Sequence, residues 1–467
     1  MTTKKKALVL GLGRFGGGVA AARFLSRRGY AVRIADRSSG QDLDASVAQL
    51  QGLADLELQL GREDESVLDG IDLFVVNPGI PDHHPLLAAA ARRGIERTQE
   101  VNLFLENYPG RVVAVTGTNG KSSTSTMLHA ALQRGGVDAL LGGNIGHSLL
   151  EDEARWSKDQ VAVLEISSFQ LDRVDPKRHR VEGAVLTRIL KDHVDRHGSL
   201  DAYHRAKSVL PMMADAFCVH AADDPVAAAF ATTTRRLTYA DAMPQKDSAG
   251  VDDGWLTVRI GDRDAIRLVH RDAMRMLGDF QRENALAAGL AATLLGSKPQ
   301  GIGLALANTA PLPFRLQLLC VIDGVRVYDN AVSTEIESTR SALRNIPGPI
   351  HWVTGGKSKD GDDKSVADAA APFVASAHVF GAAAEPLAQE LRRADSRRPV
   401  ATTTHVRVQE ALDAALEACE PGSALLFSPA FASFDQYPNF RARALEFHAW
   451  TLLRRGIDAA PAAAAED

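Results

Sequence analysis

Cysteine is nearly absent from this chain: three residues among 467, Cys218, Cys320 and Cys419, far apart and odd in number. They supply neither a disulfide framework nor a zinc knuckle, and they fit a reducing, cytoplasmic setting. Long apolar runs are missing too. The longest, ALAAGLAATLL from Ala285 to Leu295, falls short of the roughly 18 residues that a membrane-crossing helix needs, and it reads as a buried helix. The basic start MTTKKK meets Arg14 after a short apolar stretch, so no signal peptide is expected. Charge of one sign is scarce: 53 Lys and Arg against 58 Asp and Glu leave a net charge of -5. That balance gives no basic face, so neither nucleic acid nor an anionic membrane is an expected partner. No tandem repeat appears, which excludes solenoids and propellers.

What is present is ordinary globular material, 45% hydrophobic and 24% charged. At roughly 100–200 residues per domain the length suggests about two to four domains. Short β-like runs alternate with helical patterns: KALVLGLG, then VAAARFLSRRG closing at Gly29, then YAVRIAD and DLFVVNPGIP. This β-α-β rhythm predicts parallel sheets covered by helices on both faces. It restarts after YPG at 108–110 with RVVAVTG, and again after LANTAPLPFR at 306–315. The expected domains are 1–109, 110–311 and 312–467, with a Rossmann-like first domain, a P-loop ATPase-like second and a Rossmann-like third. The tail APAAAAED is low in complexity.

The segment AVTGTNGKSST, residues 114–124, resembles a phosphate loop in which Val115 stands where the first glycine belongs. A strand precedes it and a helix follows. Gly117, Thr118, Asn119, Gly120, Lys121, Ser122 and Ser123 would expose backbone N–H groups at a helix N-terminus, an anion cradle. Lys121 is placed to meet β- and γ-phosphate oxygens, and the Ser122 hydroxyl to ligate Mg²⁺. Without its context, Gly-Lys-Ser would be a plain turn. A second glycine turn, Gly11, Gly13 and Gly16 with Asp36 about 20 residues on, has the form of a dinucleotide fingerprint.

Other segments in order are GGNIGHSLL at 142–150, LEISSFQLD at 164–172, DHVDRHGSLDAYHRAK at 192–207, LPFR at 312–315 and SPAFASFDQYPNF at 428–440. Together with the loop they resemble the Mur ligase family over nearly the whole chain. The family comprises ATP-dependent amide ligases that build the peptidoglycan stem peptide, with folylpolyglutamate ligases as relatives. SSFQL and SPAFASFDQ look like its glutamate-adding branch.

The resemblance implies ATP and Mg²⁺ as cofactors, UDP-N-acetylmuramoyl-L-alanine and glutamate as substrates, and a cytoplasmic monomer. Lys121, Glu165, His193 and Lys207 would be catalytic. Ser122, Glu165, His193 and Lys207 would hold metal, the last as a carbamate; from composition alone Lys207 is an exposed helical lysine. Asn284 and Arg315 would meet adenine and phosphate, and Asn330 a ribose. Gly13, Arg14, Phe15, Asp36, Arg37, Asn77, Pro78, Gly79, Asn144, Ser167 and Gln170 would line the sugar-nucleotide site. Thr334, Lys359, Ser433 and Phe440 would receive glutamate.

Two departures stand out. The family usually has Asn where Arg188 stands. It also reads D-S-K-A-T-N where this chain reads N-A-V-S-T-E at 330–335, so the lysine is replaced by Val332. D-glutamate is the favoured amino acid, and an L-glutamate-adding variant or another ligase of the family stays open. Two readings of a different class also stay open. One is an NAD-dependent oxidoreductase built on GLGRFG, which leaves Lys121, Glu165 and His193 without a role. The other is a non-catalytic UDP-sugar sensor.

Overall fold

The computed structural model describes residues 4–13, 16–38, 43–334, 336–358, 363–394 and 399–456, without the side chains of Asp195 and Glu337. The chain divides into two compact units, Met1–Ala273 with Glu283–Asn308, and Met274–Arg282 with Thr309–Glu466. Three sheets carry the architecture, two in the first unit and one in the second.

The first sheet has the order β3-β2-β1-β4-β5 and is parallel throughout. Its strands are β1 (Lys6–Leu10), β2 (Ala31–Asp36), β3 (Leu56–Leu60), β4 (Leu73–Val76) and β5 (Glu96–Thr98). The apolar run ALVL is buried on both faces, as a strand under helices on either side must be. Gly29, φ 85°, follows the helix Gly17–Arg27 as a left-handed stop.

The second sheet has nine strands in the order β14-β13-β12-β11-β10-β9-β6-β8-β7. They are β6 (Arg111–Thr116), β7 (Ala139–Gly143), β8 (Val161–Glu165), β9 (Val181–Leu186), β10 (Ala214–Ala221), β11 (Arg235–Tyr239), β12 (Ser248–Asp252), β13 (Trp255–Arg259) and β14 (Ile266–His270). It is parallel from β7 to β12, and an antiparallel meander of β12, β13 and β14 extends one edge. Ala285, Ala287, Ala288 and Ala291 are fully buried in the helix Asp279–Leu294, matching the buried-helix expectation for that run. Among the described residues no helix is long and apolar enough to cross a membrane.

The third sheet has the order β15-β16-β20-β17-β18-β19. Its strands are β15 (Gln317–Ile322), β16 (Val325–Asp329), β17 (Ile350–Gly355), β18 (Ser376–Phe380), β19 (Ala401–His405) and β20 (Ala424–Ala430). All pairs are parallel except β15 with β16. Across β17, β18 and β19 runs a relay of side chains. His351 Nδ1 meets Ser376 Oγ at 2.8 Å, and Ser376 Oγ meets His378 Nε2 at 2.8 Å. His378 Nδ1 meets Thr403 Oγ1 at 2.9 Å, and that hydroxyl meets His405 Nε2 at 2.7 Å.

Candidate active site

The phosphate loop sits between β6 and the helix Lys121–Arg134, where a parallel sheet presents its ligand sites. Its path depends on two glycines. A Cβ on Gly117 (φ 152°) would lie 1.8 Å from Thr187 Oγ1, and one on Gly120 (φ 85°) would lie 2.3 Å from Asn284 Oδ1. The segment after β9 braces the loop. Thr118 N donates to Arg188 O at 2.8 Å, Thr187 Oγ1 donates to Asn119 O at 2.6 Å, and Thr118 Oγ1 meets Tyr203 Oη at 2.7 Å. Lys121 Nζ donates to Gly117 O at 3.1 Å and Thr118 O at 2.7 Å. Ser122 is half-buried and Ser123 buried beside it.

Lys207 corrects the composition reading. It is 2% exposed, on the inner face of the helix Leu200–Met213. Its Nζ donates to Thr116 Oγ1 at 3.0 Å and Gly117 O at 2.8 Å. Burial, and then the neighbouring Lys121 charge, hold its amine well below the ordinary lysine range; Asp192 and Glu165 oppose this. Glu165 closes β8 and is 1% exposed. Its Oε1 accepts from Asn144 Nδ2 at 3.0 Å, while Oε2 is buried with no hydrogen-bond partner among the described residues. A buried carboxylate oxygen without a donor fits a cation.

His193 adopts φ 49° ahead of the turn Val194–His197, with its ring 4.9 Å from that of Phe169. Its Nε2 lies 3.3 Å from Asp192 Oδ2. Arg188 forks onto Glu283, with Nε to Oε2 at 2.8 Å and Nη2 to Oε1, and also reaches Asp223 Oδ1 at 2.7 Å. The arginine at this departure from the family pattern therefore ties β9 to the residue before Asn284. Asn284 lies inside the helix Asp279–Leu294 and is 6% exposed.

At the glycine turn of β1, Asp36 Oδ2 accepts the N–H of Leu12 at 2.9 Å and Gly13 at 3.4 Å, and Oδ1 accepts Ser38 N at 2.9 Å. Its carboxylate shapes the turn, while Arg37 next to it is exposed. Asn77 packs under that turn, Nδ2 lying 3.3 Å from where a Gly13 Cβ would be, and its Oδ1 accepts Gly79 N at 2.8 Å. Two arginines hold this loop that the sequence did not single out. Arg173 Nη1 donates to Asn77 O at 3.1 Å, and Arg196 Nη2 donates to Pro78 O. Ser167 and Gln170 form a reciprocal capping box at the helix Ser168–Leu171, a structural task visible in S-x-x-Q. Arg14, Phe15 and Lys359 lie outside the described residues.

In the second unit Asn330 points inward. Its Oδ1 accepts Leu316 N at 3.2 Å, and Nδ2 donates to Ser428 Oγ at 2.9 Å. Ser433 is 2% exposed; Thr334, Arg315 and Phe440 are half-buried. Arg443 was also missed. It is fully buried, Nη1 donating to Gly355 O at 3.2 Å and Nη2 to Phe431 O at 3.0 Å, and burial lowers its pKa to about 10.

The Mur ligase middle domain matches residues 115–292, and the Mur ligase MurD-like N-terminal domain matches 5–98. The UDP-N-acetylmuramoylalanine–D-glutamate ligase of Acidobacterium capsulatum is 33% identical, covering 97% of this chain and 98% of its own. This chain belongs to the Mur ligase family. It is accordingly an ATP-dependent ligase that forms amide bonds. The corresponding ligase of Geobacter metallireducens is 34% identical over 95% of this chain and 96% of its own. Among solved structures, the Thermotoga maritima UDP-N-acetylmuramate-alanine ligase superposes with a TM-score of 0.62 at 15% identity, covering 96% of this chain and 99% of that one. MurF of Acinetobacter baumannii gives 0.59 at 16% identity, covering 96% and 94%. At such identities these two establish the three-domain α/β fold of Mur ligases and nothing finer.

Proposed function

We propose that this ligase joins glutamate, D-glutamate in the first instance, to UDP-N-acetylmuramoyl-L-alanine in peptidoglycan precursor synthesis, as a cytoplasmic monomer with domain limits at 109/110 and 311/312. The observation that carries the reading is the braced loop at Gly117–Ser122 beside a buried lysine and a buried carboxylate with an unpartnered oxygen. The substrate carboxylate attacks the γ-phosphorus of ATP, ADP leaves, and an acyl phosphate forms. The glutamate amine then attacks the acyl carbon; phosphate leaves and the amine's proton is lost.

Lys121 neutralises the transferring phosphoryl oxygens, and the loop amides fix the triphosphate. Among the described residues no three His, Cys, Asp or Glu converge as a metal cage. Mg²⁺ would instead be held by Ser122 and Glu165, with His193 and carbamylated Lys207 at a second position, and would supply positive charge against the phosphate oxygens. Asn144 orients Glu165 by its 3.0 Å bond. Asn284 and Arg315 would meet adenine and phosphate. The loop Asn77–Gly79 beside the glycine turn would receive the uridine diphosphate. Ser433, Thr334, Lys359 and Phe440 would receive the amino acid.

A second reading, addition of L-glutamate, draws on the altered 330–335 segment and the inward turn of Asn330. An amino-acid panel separates the two. The enzyme is supplied with ATP, Mg²⁺ and UDP-N-acetylmuramoyl-L-alanine, and phosphate release is measured with D-glutamate, L-glutamate, lysine and diaminopimelate. Release that requires the sugar nucleotide and D-glutamate is expected. Release with L-glutamate alone selects the variant, and release with neither removes glutamate as substrate.

A further inference from the structure

Asp329 ends β16 with no exposed surface, at the position before the altered 330–335 segment. Its Oδ1 accepts Ala331 N at 2.8 Å, and its Oδ2 lies 2.6 Å from His448 Nε2. A fully buried carboxylate needs donors for its oxygens, and the imidazole supplies one. With Nε2–H committed to Asp329, Nδ1 is the ring atom left for a ligand. The His448 side chain is 29% exposed, so a ligand has access.

The imidazole is part of a cluster. The Phe314 ring lies 5.2 Å from that of His448 and meets Phe440 edge-on at 6.3 Å. The Phe314 carbonyl accepts Val332 N at 3.2 Å. Phe314 thus stands between His448 and Phe440, the latter assigned above to the amino acid, and its carbonyl holds Val332, where the family's lysine is missing. Among charged groups of the elements around it, Asp413 is taken by Trp450 and Arg454, and Glu446 acts on Tyr437. Arg315, next to Phe314 in the chain, carries a positive charge and offers no countercharge to an imidazolium.

We propose that His448, positioned by Asp329, supplies the cation that binds a carboxylate of the incoming glutamate, in place of the lysine that Val332 replaces. This deepens the ligase reading above and rests on it. When both ring nitrogens carry protons, Nε2–H donates to Asp329 and Nδ1–H to the amino-acid carboxylate, a charge-assisted bond.

The test is steady-state phosphate release by the full-length enzyme, with glutamate varied under saturating ATP and sugar nucleotide. Wild type, His448→Gln, His448→Lys and Asp329→Asn are compared. The glutamine keeps an N–H for Asp329, so its melting temperature should hold. Its KM for glutamate should rise at least about tenfold with the KM for ATP unchanged. His448→Lys should recover most of that loss. Asp329→Asn should raise the glutamate KM as well. Failure of His448→Lys to recover any of the loss seen in His448→Gln overturns the proposal. An unchanged KM in His448→Gln, or a loss confined to kcat, overturns it as well. Absence of glutamate-dependent turnover in wild type would remove the ligase reading itself, and this proposal with it.

Discussion

Lys207 donates its Nζ proton to the Gly117 carbonyl at 2.8 Å, which places an amine inside the phosphate loop rather than on the protein surface. Its depressed pKa follows from burial and from Lys121. Because the folded pKa lies below the unfolded one, the fold gains from this group above the unfolded value and loses as pH falls toward the folded one. At neutral pH an unmodified Lys207 therefore costs stability. Lys207→Met should raise the melting temperature of the ligand-free protein by a few degrees, roughly 1 kcal/mol, and abolish turnover. A variant that melts lower and still turns over would remove both roles.

Gly117→Ala and Gly120→Ala force a Cβ into Thr187 Oγ1 and Asn284 Oδ1 respectively. We expect ATP binding to be lost, at a stability cost of about 1–3 kcal/mol. Lys121→Ala leaves the backbone path alone. It should bind the sugar nucleotide normally and lose phosphate release by about a hundredfold or more. Calorimetric titration with each nucleotide, beside a phosphate assay, separates backbone from charge.

Arg188 raises its own pKa through the Glu283 fork, with Asp223 adding to it and burial opposing. Arg188→Asn leaves Glu283 and Asp223 without their cation and frees the residue before Asn284. The KM for ATP should rise about tenfold while the KM for glutamate stays put. Equal rises in both would mean that Arg188 supports the fold as a whole.

His378, in the relay across the third sheet, has its pKa lowered to about 4, mainly by burial and then by His405 and His351. The relay holds four hydrogen bonds with all three rings neutral, one proton per bond. Glu420 near His351 and Glu410 near His405 favour the charged rings, but burial outweighs them. The folded value lies below the ordinary 6.5, so the contribution is full above about pH 6.5 and lost as pH falls toward about 4. A difference of that size corresponds to about 3 kcal/mol. Urea unfolding from pH 7 to pH 4 should show this loss, and His378→Gln should flatten the dependence.

The parallel strands and the phosphate loop were legible because both depend on local pattern. KALVLGLG became β1, DLFVVNPGIP became β4 and RVVAVTG became β6, each an apolar run closed by a turn. The meander β12–β14 was not legible, since SAGVD and IRLVH are short and half-polar. Burial of Lys207 could not be read at all: a lysine in DAYHRAK looks solvated until the helix face is known. Arg173, Arg196 and Arg443 escaped for the same reason, because a guanidinium signals its partners only when distant carbonyls converge on it. Asp36, expected at the sugar-nucleotide site, holds the glycine turn through Oδ2 and the Ser38 amide through Oδ1, a local task that the fingerprint spacing does not reveal.

Arg196 touches two places at once: it donates to the Pro78 carbonyl and lies with its guanidinium 4.0 Å over the Phe169 ring, which also packs against His193 and His197. Opening of the turn at Asn77–Gly79 must break its bond to Arg196, a member of the turn that follows His193. Removal of that bond in Arg196→Ala should therefore speed amide exchange at both turns.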